Sequence, residues 1–287
     1  MSQAYTPNPG VAFSLIVPTV DRAAELERLL TSLQGQTLRD FEVLIVDQNA
    51  DDRVAAVVER CGGGLSVVHL RCQRGTSRAR NLGIRRATGT VLAFPDDDCW
   101  YPPDVLQEVW AELSAHPQWD GLAIRARNDR GKLTGNNLDH VRGRVTHLNS
   151  LRRGNANCLF LRRQVLTRVE GFDETLGPAA RWPASEDIDL LYRVAHAGFH
   201  IRFLSDLYVG HDEMIRGFGV EARNKVHRYS TGFGRVLRKN RFPIVFLALM
   251  IAAELREIGR ATLTGRRDYF LFHWASLAGL CRGWLGV

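Results

Sequence analysis

Residues 96 to 98 are three consecutive aspartates, reached directly from an apolar run: VLAFPDDDCWYPP spans 91–103. Adjacent carboxylates repel one another, so such a cluster is favourable only where a cation or strong hydrogen-bond donors neutralise it. Taken alone, the stretch also fits a solvated turn rich in Asp and Pro. Three further stretches carry chemistry. Asp47 ends the apolar run FEVLIVD. GTSRARN (75–81) places Arg78 and Arg80 near the start of an expected helix, where guanidinium and backbone N–H groups both favour phosphate oxygens. SEDIDL (185–190) opens another expected helix with Glu186 and Asp187, whose default role is to complement the helix dipole.

The elements around these residues decide what they share. FSLIVP (13–18) reads as a buried strand ending at Pro18, and Leu26, Leu29, Leu30 and Leu33 give 22–34 the spacing of an amphipathic helix. FEVLIVD (41–47), LSVVHL (65–70) and TVLAF (90–94) are further strands, with helices expected over 51–60 and 76–87. Nearly all-apolar strands alternating with helices imply a parallel sheet covered on both faces. Ligands of such sheets bind at the carboxyl ends of the strands, the edge to which Asp47 and Asp96 are both delivered. Beyond residue 118 the pattern changes to a strand and Gly/Asn turn in WDGLAIRARNDRGKLTGN, a strand in NCLFLRR (157–163), and a helix over 185–198. That helix has Ser185 as N-cap, Gly198 as stop, and Ile188, Leu191 and Ala195 as its buried stripe. Asp189 is expected at an exposed position.

In bulk, 287 residues allow a sizeable core, and 45% apolar with 24% charged residues is the composition of a soluble globular chain. Thirty-eight Lys and Arg against 31 Asp and Glu give +7, which suits a polyanionic ligand or an anionic membrane surface. MSQAYTPNPG has no basic and apolar leader pattern. Five scattered cysteines without a CxxC pair indicate neither zinc ribbon nor disulfide framework, in keeping with a cytoplasmic setting.

SLIVPTVDR, FEVLIVDQNADD, RGTSRARNLGIRRATGTVLAFPDDD and GFDETLG…SEDIDLLYRVAHAGF, in this order, resemble the family 2 glycosyltransferases over about residues 12 to 212. The resemblance implies the GT-A fold: an α/β, Rossmann-like mixed sheet flanked by helices. Residues 1–212 would form the catalytic domain, with a nucleotide-sugar half over about 12–116 and an acceptor half over 117–212. Residues 213–287 would be a helical C-terminal extension. The implied activity is inverting transfer of one hexosyl or deoxyhexosyl unit from a nucleotide-sugar donor to a hydroxyl of a saccharide or lipid-linked acceptor. Synthesis of cell-surface polysaccharide or glycolipid is the implied setting.

By resemblance Asp47 binds the base, with Pro18 and Thr19 completing its pocket, although Gln48 stands where the family often has a second acid. For Thr19 alone, a turn residue with a solvated hydroxyl fits as well. Asp96 would face the ribose and Asp98 would hold Mg2+ or Mn2+, as in the family's Asp-x-Asp signature. Asp97 either joins the donor site or caps the next turn. Gly75, Arg80 and Asn81 match the family's pattern positions, while Arg85 and Arg86 read as solvated. Asp187 is the implied base for the acceptor hydroxyl, with Glu186 its neighbour. His211, in LYVGHDEM, matches a further metal ligand of some relatives; His196 and His200 form no zinc motif. The Gln-x-x-Arg-Trp motif of the processive polymerases is missing, which favours addition of a single sugar.

A sugar-nucleotide nucleotidyltransferase would need glycines after the first strand, and PTVDRAAE has none. A nucleic-acid binder would need a basic stripe with stacking aromatics or a known module, and neither occurs. A non-catalytic relative would not need the carboxylates. At the C-terminus, 223–241 holds seven Lys or Arg and no acid, followed by FPIVFLALMIAA (242–253), too short to span a bilayer. Such a segment suits docking on the inner face of the cell membrane, or packing on the catalytic domain through the same apolar face.

Overall fold

The computed structural model describes residues 11–134, 140–212, 215 and 217–287; the leader reading of residues 1–10 lies outside them. The chain divides into two compact units, residues 1–172 with 190–212, and residues 173–189 with 213–287.

The first unit is a mixed sheet. Strands β1 (Phe13–Thr19), β2 (Phe41–Asp47), β3 (Ser66–Arg71) and β4 (Val91–Ala93) alternate with helices α1 (Ala23–Gln34), α2 (Arg53–Cys61) and α3 (Thr76–Arg86). All four strands are parallel, in the order β3-β2-β1-β4. Every residue of β1, β2 and β4 is buried, which explains why their sequences are nearly all apolar; the interior exceptions, Ser14 and Glu42, satisfy each other, Ser14 Oγ donating to Glu42 Oε1. Along β1, Phe13, Leu15 and Val17 face one core with Leu26, Leu29, Leu30 and Leu33 of α1. Ile16 faces the other with Ala79 of α3. The period of two thus supplies both layers.

Helix α4 (Val105–Ala115) was not foreseen, although Val105, Leu106, Val109 and Leu113 form its buried stripe. After it come β5 (Gly121–Arg127), the short β6 (Leu133–Thr134) and β7 (Gly143–Arg144), β8 (Leu159–Arg162), α5 (Arg163–Arg168), α6 (Glu186–His196) and β9 (Ile201–Gly210). β8 inserts antiparallel between β4 and β5, and β9 runs parallel to β5. The strand and turn were expected, but not the return of the chain as β6, which pairs antiparallel with β5; the turn is held by Asn128 Oδ1 accepting from Arg130 N and Lys132 N.

β4 pairs only with Phe13–Leu15 of β1. Beyond Leu15 the two strands part, so Pro18, which lacks an N–H, costs no ladder bond on that side. The opening lies at the reversal of strand order, where open α/β sheets bind their ligands.

The second unit contains α7 (Val220–Lys239), α8 (Ile244–Leu263) and α9 (Arg267–Leu285). α7 and α9 approach so closely that a Cβ at Gly279 or Gly283 would strike the His227 or Thr231 carbonyl. α8 is tied to α9 by polar groups: Glu254 accepts from His273 Nδ1 at 2.7 Å and Ser276 Oγ at 2.8 Å, and Glu257 from Tyr269 Oη at 2.8 Å. No helix of the described residues is long and apolar enough to cross a membrane.

Asp189 corrects the sequence reading. It is fully buried rather than exposed, bonded to Lys239 Nζ at 2.9 Å and to Asn240 Nδ2 at 2.9 Å. Its position three residues after the helix start suggested solvent; its partners come from a helix fifty residues later.

Candidate functional site

The Asp cluster sits where β1 and β4 diverge. The loop that carries it is fixed from α1 and the turn after it: Ser32 Oγ accepts from Tyr101 N at 3.0 Å, and buried Gln36 donates to the Pro102 carbonyl at 2.8 Å. Asp97 is the inward member. It accepts from Thr19 Oγ1 and from Arg22 Nη1, both at 2.9 Å, so Thr19 is buried and bonded rather than solvated. Arg22 also donates to Asp98 Oδ2 at 2.6 Å. Asp21 directs it there by taking a left-handed φ of 60°, which Asp tolerates, with its N–H on Asn49 Oδ1 at 2.8 Å. Arg80, nearly fully buried, donates to Asp96 Oδ1 at 2.7 Å and lies over the Phe172 ring.

Two guanidinium groups therefore face three carboxylates and balance two of the three charges, and Arg22 carried no role in the motifs. Its position directly after the first strand was the available signal.

Burial pushes the Asp97 carboxyl up to about 6, against the pull of Arg22 and Thr19. Burial acts the same way on Asp98, but His211 and Arg22 outweigh it and hold that carboxyl at about 2. Burial would lower the His211 imidazole; Asp98 and Asp96 overcome it and raise it. Asp98 is therefore the firm anion of the cluster.

His211 is buried and fixed by its backbone. Its N–H donates to the Arg127 carbonyl at 2.8 Å, and its carbonyl accepts from Thr134 Oγ1 at 2.9 Å. Its Nε2 lies 3.4 Å from Asp98 Oδ1, a buried oxygen that takes no hydrogen bond. Ligand atoms of Asp96, Asp98, Cys99 and His211 all fall within 4.8 Å of one another. An orphaned carboxylate oxygen, a second carboxylate and an imidazole form a donor set suited to a hard divalent cation. Cys99 does not extend it, because burial raises its thiol well above the ordinary range and keeps it protonated.

Gly210 sets the position of His211. Trp100 and Gly210 exchange backbone hydrogen bonds at 3.0 and 2.7 Å, and a Cβ on Gly210 would lie inside the Trp100 ring. Gly210→Ala is expected to cost about 1–3 kcal/mol through overpacking. It should also weaken Mn2+ binding by displacing His211. Urea unfolding and Mn2+ titration of the variant check both effects; unchanged values in each would remove this role for Gly210.

At the end of β2, Asp47 is fully buried, Oδ2 bonded to His69 Nε2 at 3.0 Å and Oδ1 to Asn49 N and Nδ2, each at 2.8 Å. Gln48 Oε1 accepts from Gly75 N at 2.7 Å, which joins the β2 end to the start of α3. Gly75 has φ 139°, a value that glycine adopts readily. Asn81 is engaged with the Phe172 backbone, donating to its carbonyl at 2.8 Å and accepting from its N–H at 2.9 Å. Arg78 is exposed and donates to Gln73, and Arg85 and Arg86 are exposed as expected.

Glu186 and Asp187 belong to the second unit. Ser185 precedes them with a left-handed φ of 68°, not the extended backbone of a usual N-cap, although its carbonyl accepts from Asp189 N at 3.0 Å. Glu186 and Asp189 are buried, whereas Asp187 is half-buried and its Oδ1 accepts from Ile188 N at 2.8 Å. Asp187 is thus the most solvent-accessible carboxylate of the three.

The family profile described as Glycosyl transferase family 2 matches residues 14–169. An uncharacterized glycosyltransferase of Haemophilus influenzae is 36% identical over 104 residues, 36% of this chain and 35% of that protein. A PGL/p-HBAD biosynthesis glycosyltransferase of Mycobacterium tuberculosis is 35% identical over 112 residues, 38% of this chain and 44% of its own length. The chain thus spans less than half the length of these relatives. Among solved structures, the mannosyltransferase PcManGT from Pyrobaculum calidifontis, in complex with GDP-Man and Mn2+, superposes with TM-score 0.69 at 19% identity. That superposition covers 97% of this chain and 89% of the other. S. aureus TarS 1–349 in complex with UDP gives TM-score 0.60 at 19% identity, over 95% and 91%. At such identities the likeness speaks to the fold.

Proposed function

The chain belongs to glycosyl transferase family 2 and has the GT-A fold, and from that membership we propose that it is an inverting, cation-dependent glycosyltransferase. It would move one sugar from a nucleoside-diphosphate donor to a hydroxyl acceptor. The observation that carries this reading is the convergence of Asp96, Asp98 and His211 at the opening between β1 and β4. Neighbours of the same fold hold UDP, UDP-GlcNAc or GDP-Man, and the diphosphate is common to all three.

In this reading Asp98, Asp96 and His211 would hold Mg2+ or Mn2+, and Asp97 supports them through Thr19 and Arg22. When bound, the cation supplies positive charge against the charge growing on the departing diphosphate. Asp47, Pro18 and Thr19 form the base side, and Gly75, Arg80 and Asn81 shape the α3 side of the donor pocket. The Asp187 carboxylate takes the proton of the acceptor hydroxyl. The hydroxyl oxygen then bonds to the anomeric carbon from the face opposite the breaking bond to phosphate, which inverts that centre.

Residues 12–116 serve the donor and 117–212 the acceptor, with 213–287 as an extension. The acceptor is a saccharide or a lipid-linked one in cell-surface polysaccharide or glycolipid synthesis, met at the inner face of the cell membrane. A melting-temperature screen of UDP, GDP, CDP and TDP and their sugars, with and without Mn2+, tests the reading. Stabilisation by at least one of these ligands that grows with Mn2+ is expected. Stabilisation by RNA and by none of the nucleotides would discard it.

A further inference from the structure

Helix α8 carries apolar side chains on both sides: Leu247 and Ala261 are buried inward, and a second apolar stripe faces out. In a soluble bundle the apolar stripe of a surface helix faces its neighbours and the charges face water. On α8 the acids turn inward: Glu254 to His273 and Ser276, and Glu257 to Tyr269. The outward side of the first three turns carries Ile244, Val245, Leu249, Ala252 and Leu255, all exposed. Ile244 is 65% exposed and Leu249 58%. At 100° per residue these positions share one side of the helix, and from Pro243 to Leu255 no charged side chain interrupts it. A contiguous exposed apolar stripe of this kind marks an interaction surface.

Charge identifies what covers it. Arg241 precedes the stripe, Arg256 and Arg260 follow it on the same side, and Arg267 opens the next helix; all four are exposed, although Arg256 and Arg260 also pair with Glu257 at 3.1 and 3.0 Å. Residues 213–287 hold 13 Lys and Arg against 5 Asp and Glu, a net +8, whereas the whole chain is +7, so the remaining residues sum to −1. The compact unit that holds this segment also includes 173–189, with one Arg and five acids, and so carries +4; a second copy would still bring like charge against like. An anionic leaflet offers the complementary sign, and exposed Trp274 on α9 is a residue type favoured at the lipid–water boundary.

We propose that the outward face of α8 lies in the headgroup region of an anionic bilayer, with Ile244, Val245 and Leu249 inserted and the flanking arginines on lipid phosphates. This gives the proposed membrane placement a specific surface and rests on that placement, not on the transfer chemistry.

Co-sedimentation of the full chain with vesicles of phosphatidylglycerol and phosphatidylcholine in equal parts tests it. Binding at low salt, reduced by high salt and much weaker on pure phosphatidylcholine, is expected. The double variant Val245→Glu, Leu249→Glu should bind the mixed vesicles at least about tenfold more weakly, since it places charge in the inserting face. Its nucleotide-dependent melting shift should match that of the unchanged chain, which also shows that it folds. Wild-type protein left in the supernatant at low salt overturns the proposal, as does a double variant that sediments like the wild type. So does a self-associated wild type that the double variant makes monomeric, because the face would then join two copies. Loss of nucleotide stabilisation in the wild type would instead count against the transfer reading and leave vesicle binding to be judged by itself.

Discussion

Asp98→Asn is expected to remove the Mn2+-dependent part of nucleoside-diphosphate stabilisation and to abolish transfer. Asp98 is held ionised because His211 and Arg22 overcome the effect of its burial. Its Oδ1 faces His211 Nε2 with no hydrogen bond of its own, so it is the oxygen most available to a cation. An amide retains the shape but loses the charge, and removing a hard anionic ligand weakens a hard-cation site. Even loss of an outer partner of a metal ligand typically costs 10- to 100-fold in affinity, so a direct ligand should cost at least about a hundredfold. The melting shift with UDP or GDP, read with Mn2+ and with EDTA, measures it. If Asp98→Asn retains the full Mn2+ increment, the cation is held elsewhere. Arg22 would then be the residue that the cluster was built to bind.

The second large effect is expected at Asp187. Asp187→Asn should bind donor as the unchanged chain does and lose turnover by at least about a hundredfold, the usual scale for a general base. Of the three acids at the start of α6, Glu186 and Asp189 are buried, and Asp189 is committed to Lys239 and Asn240. Asp187 alone is half-buried. Donor binding is read from the melting shift, and turnover from release of nucleoside diphosphate under saturating donor. Near-normal turnover in Asp187→Asn, together with a large loss in Glu186→Gln, would move the proton transfer to Glu186.

The strands β1, β2 and β4 were legible because a strand buried on both faces must be nearly all apolar, and that demand is written in consecutive residues. The same local logic gave α1, α2 and α3. It also set Asp47 and Asp96 at one sheet edge, since parallel strands share a direction, Asp47 ends β2 and Asp96 comes shortly after β4. The insertion of β8 between β4 and β5 was not legible, because strand order depends on pairings some seventy residues apart. The site divides in the same way. Asp96, Asp98 and His211 could be named from their motifs. That Thr19 and Arg22 hold Asp97 and that Arg80 holds Asp96 depended on β1, α3 and β4 meeting, and that Asp98 turns an oxygen to His211 depended on the end of β9 joining them through Trp100 and Gly210.

Asp189 and α8 show the limit most clearly. A helix periodicity says that one side differs from the other, but not which side meets protein. Asp189 went inward because Lys239 and Asn240 were there to neutralise it, and Glu254 because His273 and Ser276 were. Residue types and their spacing determined the elements and their chemistry. Which groups were neutralised, and which apolar face was left outward, was decided by partners that only the folded chain brings within hydrogen-bonding distance.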